Sequence, residues 1–299
     1  MPESESQSPP SPVVSGAPEE IADGVFVIPD GRVPLVPNIG IVLGSRAALV
    51  VDTGMGPGNG DRVLEHARAL AGDRPLILTL THFHPEHGFG AQVFEDEALI
   101  VYNAAQRDEL REKGEAYIGM FRSFGESVTE QLVDTRLVDP HVTYDGHSAE
   151  IDLGGRTARL LTWGLAHTRG DQVVLLPDDS ILFGGDLFET RMFPIVPFFP
   201  PDDVDVDGDL WVDVLGKIID LAPATVVPGH GEVTDVGLAE NVRDYLVTLR
   251  KETAVLKREG LSADEAVGAL APKVRERHGD WDNPEWIDFG IRCFYDRVG

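Results

Sequence analysis

The segment Thr81-His82-Phe83-His84-Pro85-Glu86-His87-Gly88 carries three histidines and a carboxylate within six residues. Imidazole and carboxylate together form a ligand set for zinc or another first-row metal. An apolar run, Pro75-Leu76-Ile77-Leu78-Thr79-Leu80, comes directly before it. A strand ending in such a cluster brings several imidazoles to one point at its C-terminal tip. A chance run of surface histidines is the plainer alternative. It is disfavoured because the chain has only nine histidines and five of them fall into short blocks of matching character.

Those blocks are Ala47-Ala48-Leu49-Val50-Val51-Asp52-Thr53-Gly54 upstream and three more downstream. The downstream blocks are Gly164-Leu165-Ala166-His167-Thr168-Arg169-Gly170-Asp171, Phe183-Gly184-Gly185-Asp186-Leu187-Phe188 and Val226-Val227-Pro228-Gly229-His230-Gly231. Each is an apolar or glycine-rich run that stops at a metal-competent residue. Together and in this order, over roughly residues 20–235, they resemble the metallo-β-lactamase fold superfamily of metallohydrolases. The resemblance implies an α/β fold of the α+β type, a four-layer αββα sandwich with the site along one edge. It also implies two adjacent metal positions. His82, His84 and His167 correspond to the first; Glu86, His87 and His230 to the second. Asp186 corresponds to the carboxylate shared by both, and Asp52 to a residue that orients the metal loops. Glu86 stands where the family has Asp, an HxHxEH variant of HxHxDH, and its extra methylene must be absorbed within metal–oxygen bonds of about 2.0–2.2 Å.

The leading expectation is a hydrolase in which two divalent ions, zinc first and iron or manganese as alternatives, share an acidified water. Such a metal-bound hydroxide attacks an electrophilic carbon without a Ser or Cys nucleophile. Glu86 and Asp186 are the carboxylates expected to serve catalysis. A small ester, thioester, lactone or amide is the expected substrate. The competing reading is a mononuclear iron oxygenase resembling the persulfide dioxygenases, using His84, His167 and Asp186. Iron content and oxygen consumption separate the two. A metal-binding protein without catalysis is disfavoured, because every ligand class needed for hydrolysis is present.

Composition narrows the partners. Against 25 Lys and Arg stand 51 Asp and Glu, a formal net charge of −26. That charge repels phosphate backbones, so nucleic acid is not an expected partner. No stretch approaches the ~18 consecutive apolar residues of a membrane span. The N-terminus lacks the basic and apolar regions of a secretory signal. One cysteine, Cys293, fits a reducing compartment and sits in an apolar helical pattern that reads as core. The expectation is a soluble, cytoplasmic enzyme acting on a small molecule; its oligomeric state is not legible.

The elements that position the blocks follow from periodicity. Residues 1–18 are rich in Ser, Pro and Glu and read as a disordered tail. Residues 19–235 read as the metallo-β-lactamase-like domain, and 236–299 as an all-helical extension packed on it. Strands are expected at 25–28, 38–43, 47–51, 149–153, 157–162, 172–176, 180–183 and 224–227, and a helix over 208–221. Residues 103–131 form an acidic helical insert whose aromatics Tyr117, Phe121 and Phe124 are expected to pack on the sheet, with a place at the substrate mouth as the alternative. Asn283-Pro284 reads as N-cap and first position of a last helix. Trp281 and Trp286 are read as core. Two apolar, proline-rich loops, 31–37 and 192–200, are expected near the metal mouth, with ordinary packed connections as the alternative, above all for the second. They carry Val33, Leu35, Val36, Phe193, Ile195, Val196, Phe198 and Phe199, with Arg32 and Arg191 as nearby cations.

Overall fold

The computed structural model describes residues 10–297. A first sheet contains β1 (Glu19–Ala22), β2 (Val25–Ile28), β3 (Ile39–Leu43), β4 (Ala48–Val51), β5 (Leu76–Thr79), β6 (Ala98–Asn103) and β7 (Val142–Tyr144), in that spatial order. Helices α1 (Gly56–Ala71), α2 (Pro85–Gly88), α3 (Ala104–Arg122) and α4 (Glu126–Gln131) lie between these strands in sequence. The second sheet contains β8 (Ser148–Asp152), β9 (Thr157–Leu161), β10 (Val173–Leu176), β11 (Ile181–Gly185) and β12 (Thr225–Pro228). Helix α5 (Gly208–Leu221) connects β11 to β12, and α6 (Gly237–Arg258), α7 (Ala263–Arg277) and α8 (Ile287–Arg297) follow.

Side-chain alternation explains the layering. In β4, Leu49 and Val51 pack between the sheets with Leu160, Val174 and Phe183, while Ala48 and Val50 pack outward with Val63 and Ala67 of α1. In β10, Val174 and Leu176 face the same inter-sheet core, while Leu175 packs with Trp211, Leu215 and Leu246 on the other side. Strands covered on both faces must be apolar on both faces, which accounts for their nearly continuous hydrophobic text. The result is the expected αββα sandwich. Helices α6, α7 and α8 join α5 over the outer face of the second sheet in one core that includes buried Cys293.

Strand direction places the site. β4 and β5 are parallel, as are β11 and β12. Asp52 and the His82 cluster therefore leave one sheet at the same edge where Asp186 and His230 leave the other. The Thr81 carbonyl accepts from the Gln172 amide at 2.8 Å and ties the two sheets together there.

Several expectations are corrected. Strands β1, β6 and β7 were not among those expected, although Ala98-Leu99-Ile100-Val101-Tyr102 is apolar. Asn283 does not cap α8: it adopts φ 59°, with no side-chain cap, and leads into a short 3-10 turn over Pro284–Trp286 before the helix begins at Ile287. Of the expected tail, residues 1–9 lie outside the described residues, while 10–18 include packed positions. Val14 is only 2% exposed and packs with Val36 and Met55. Asn59 of α1 holds this arm from both sides, accepting from the Val14 amide at 2.7 Å and donating to the Pro12 carbonyl at 2.9 Å. Val14→Asp would bury an unpaired charge and should lower the unfolding free energy by about 2 kcal/mol or more. An unchanged denaturant midpoint would mean that the arm does not dock in solution.

Candidate metal centre and its pocket

Two groups of buried side chains converge at the shared edge. One contains His82, His84, His167 and Asp186; the other contains Glu86, His87, Asp186 and His230. Within each, the candidate ligand atoms lie within 4.8 Å of one another. All seven residues named from the sequence are thus brought together, with Asp186 in both groups. Its Oδ1 is 3.2 Å from His87 Nε2 and 3.7 Å from His230 Nε2, and its Oδ2 is 3.8 Å from His82 Nε2. His84 Nδ1 and His167 Nε2 approach to 3.1 Å.

Local backbone sets these directions. His84 is extended (φ −58°, ψ 151°), and Pro85 then opens the single turn of α2, which carries Glu86 and His87 back toward the cluster. Gly229 leaves the room that Asp186 occupies: a Cβ there would lie 1.9 Å from Asp186 Oδ1.

Hydrogen bonds fix which ring nitrogens face inward. A carboxylate or carbonyl oxygen only accepts. His87 Nδ1 must therefore donate to Asp52 Oδ2 (2.9 Å), His167 Nδ1 to the Ile195 carbonyl (3.1 Å) and His230 Nδ1 to the Val36 carbonyl (2.9 Å). Each leaves an Nε2 lone pair for the cluster. The Thr81 hydroxyl donates to Asp52 Oδ2 at 2.8 Å and lies 3.1 Å from His82 Nδ1, so Asp52 orients His82 through Thr81 as it orients His87 directly. Asp52 itself sits at φ 70°, a left-handed conformation in which Asp is among the better-tolerated residues.

The donor set fits divalent cations. The Nε2 atoms of His82 and His87, Oε2 of Glu86 and Oδ1 of Asp186 are buried without a hydrogen-bond partner among the described residues. Leaving such atoms unsatisfied is costly, and one kind of ligand, a cation, satisfies all of them together. The electrostatics agree for the first group and differ at His87, where burial lowers the imidazole but the Asp186 and Asp52 carboxylates outweigh it and hold it well above its ordinary range. Burial pushes the His82 and His84 imidazoles well below their ordinary range, and His167 down to about 4. Neutral imidazole is the metal-binding form. Burial raises the Asp186 carboxyl, but the His87 and His230 imidazoles outweigh that and hold it well below the usual range. Burial, reinforced by Asp186, pushes Glu86 up to about 7.

The helical insert braces this centre rather than opening onto a substrate. The Tyr117 ring stacks on His84 with centroids 5.1 Å apart, and its hydroxyl donates to Asp203 Oδ2 at 2.7 Å. Glu109 accepts from Lys113 at 2.9 Å and from the Arg169 amide at 3.0 Å, anchoring the loop that carries His167. Phe121 is buried and Phe124 is exposed.

A cavity of about 320 Å³ opens beside the cluster, with Glu86, Asp186 and His230 in its wall. The sequence profile of the Metallo-beta-lactamase superfamily matches residues 32–230, a span that includes all seven clustered residues. The chain belongs to this superfamily. It is 40% identical over 217 residues to the Gallus gallus protein named "Acyl-coenzyme A thioesterase MBLAC2", covering 64% of this chain and 72% of that one. A metallo-beta-lactamase from Pontibacter korlensis superposes with a TM-score of 0.61 at 20% identity, covering 78% of this chain and 99% of that one. The sec-alkylsulfatase Pisa1 from Pseudomonas sp. superposes with a TM-score of 0.72 at 15% identity, covering 94% of this chain and 50% of that one. The two superpositions speak to fold; family and relative together make this chain a metallo-β-lactamase-fold hydrolase.

Of the superfamily site's surroundings, sequence reasoning found a part. Arg32, Val33, Leu35 and Ile195 line the cavity as expected, together with Pro34 and Met192. Val36, Phe193, Val196 and Phe198 are buried in the core instead, and Phe199 packs on Phe289. Arg32 is engaged by Glu232 and Asp282, and Arg191 by Glu232. Trp286, read as core, lines the cavity with Asp282 and Asn283, so the C-terminal extension shapes the pocket. Trp281 packs in the core with Phe193 and Tyr245. Glu189 also lines the cavity and was missed altogether. Burial, then the Asp186 carboxylate, holds its carboxyl well above the ordinary range. Among the described residues, no helix is long and apolar enough to cross a membrane.

Proposed function

We infer that this chain hydrolyses acyl thioesters with two divalent cations, zinc by preference. His82, His84, His167 and Asp186 would hold one cation; Glu86, His87, His230 and the shared Asp186 would hold the other. Bound there, the cations supply Lewis acidity and an acidified water at neutral pH. The chain's own residues do the rest. Asp52 and Thr81 keep the His87 and His82 lone pairs aimed inward, and Glu109 and Tyr117 brace the loops that carry His167 and His84.

The observation that carries the reading is the juxtaposition of this donor set with an apolar wall, Val33, Pro34, Leu35, Met192 and Ile195, in one cavity. Such a wall suits an acyl chain. A thiol's pKa of about 8.5 lets it depart as thiolate with little proton transfer, so thioester is favoured over amide within the wider set of carbonyl substrates. The name carried by the 40%-identical relative supports the same choice. The iron-oxygenase reading calls for one metal, whereas a second donor group that includes Glu86 supports two. A net charge of −26 disfavours polyanionic backbones as substrates.

The test is a panel of acyl thioesters of rising chain length, with matched oxyesters and a phosphodiester, on protein reconstituted with zinc. Each CH2 buried is worth about 0.8 kcal/mol, so kcat/KM should rise about fourfold per methylene until the cavity is filled. Efficiency flat with chain length, or highest on the phosphodiester, would overturn the proposal.

A further inference from the structure

Glu189 presents an unmet demand. It is 1% exposed, yet Oε1 and Oε2 both lack a hydrogen-bond partner among the described residues. It falls outside both four-residue donor groups. It lines the same cavity as Glu86, Asp186 and His230. Of the other charged groups of that wall, Glu86 and Asp186 belong to the donor groups, and Arg32 pairs with Glu232 and Asp282. Hiding a carboxyl group from water without partners is destabilising, and a donor brought to it by a ligand removes part of the cost.

We propose that Glu189 is a specificity residue whose carboxyl group accepts the N–H of an amide on the thiol side of the substrate. This rests on the thioesterase reading above. The apolar wall takes the acyl chain, and Glu189 is a buried, unpartnered polar contact for the other half of the molecule. The substrate class it selects is an acyl thioester of an amide-bearing thiol, with the amide a short reach from the sulfur, as in acylated cysteamine derivatives. A simple alkyl thioester offers Glu189 no donor and leaves its oxygens unpaired in the complex. No bond to Glu189 is made or broken in this role.

The experiment compares two probes on the zinc-reconstituted full chain. One is the hexanoyl thioester of N-acetylcysteamine; the other is its ketone isostere, in which CH2 replaces the amide N–H. The wild type should favour the amide probe by about tenfold in kcat/KM, the discrimination of one hydrogen bond to a charged or strongly polar group. Glu189→Leu should bring the ratio close to one, and Glu189→Gln, which keeps an acceptor, should retain most of it. Because Glu189→Leu removes an unsatisfied buried group, its melting temperature should equal or exceed that of the wild type. A wild-type ratio near one, or a ratio unchanged in Glu189→Leu, overturns the assignment while the thioesterase reading stands. A fall in bound metal or in melting temperature in Glu189→Leu also overturns it, in favour of a ligand or structural role. Failure to hydrolyse either probe or any acyl thioester of the panel overturns both readings.

Discussion

Asp186→Ala should lower kcat/KM by about a thousandfold or more, a loss of roughly 4 kcal/mol of transition-state stabilisation. Asp186 is the one residue common to both donor groups. Its Oδ1 faces His87 and His230, and its Oδ2 faces His82. Removing it takes a ligand from both proposed cations at once, so bound metal should fall together with activity. Gly229→Ala offers an independent route to the same phenotype. The added Cβ would lie 1.9 Å from Asp186 Oδ1 and 2.8 Å from the Gly185 carbonyl carbon, so the carboxylate must move. Elemental analysis and thioester kinetics on both variants check this. Near-normal turnover in Asp186→Ala would show that the centre is misassigned.

The centre was legible in the sequence because metal binding demands few residue types at fixed places. His82, His84, His167 and His230 each follow or interrupt an apolar or glycine-rich run that becomes a strand or a strand-tip loop. The layering was legible for a related reason: β4 and β10 are covered on both faces, so their sequences are apolar throughout. Other features left no such trace. The arm around Val14 has the composition of a disordered tail, and its main polar partner is a distant residue, Asn59, with Val36 and Met55 packing on Val14. Composition cannot report that partner. Trp286 reaches the cavity because Asn283 takes a left-handed backbone and delays α8, a choice that Asn-Pro does not announce. Glu189 lies three residues past Asp186 in no motif. Its one visible signal is a lone carboxylate between Asp186 and the 192–200 loop. The bracing by Tyr117, Glu109 and Lys113 depends on α3 meeting loops 60 to 86 residues away, the span of the Glu109–Arg169 and Tyr117–Asp203 contacts.

Asp52→Asn tests the layer behind the ligands. Asp52 receives three donors: the Thr81 amide at 2.7 Å, the Thr81 hydroxyl at 2.8 Å and His87 Nδ1 at 2.9 Å. A carboxylate accepts all three, whereas an amide group must turn its NH2 toward at least one of them. If it faces His87, the ring changes tautomer and its Nε2 lone pair is lost to the cluster. If it takes the Oδ1 place it faces the Thr81 amide, donor meets donor, and the strand tip carrying His82 shifts. Asn tolerates the left-handed backbone at this position about as well as Asp, so backbone strain does not confound the comparison. Groups that orient metal-bound histidines are worth about 10–100-fold in affinity or activity. Asp52→Asn should therefore lose about that much in metal affinity, with a parallel loss in kcat/KM. Thr81→Val breaks the path to His82 alone and leaves the His87–Asp52 bond in place, so its loss should be the smaller of the two. Competitive metal titration of the three proteins gives the order directly. An Asp52→Asn variant that binds metal as tightly as the wild type would mean that the His87 and His82 tautomers are held by something other than Asp52.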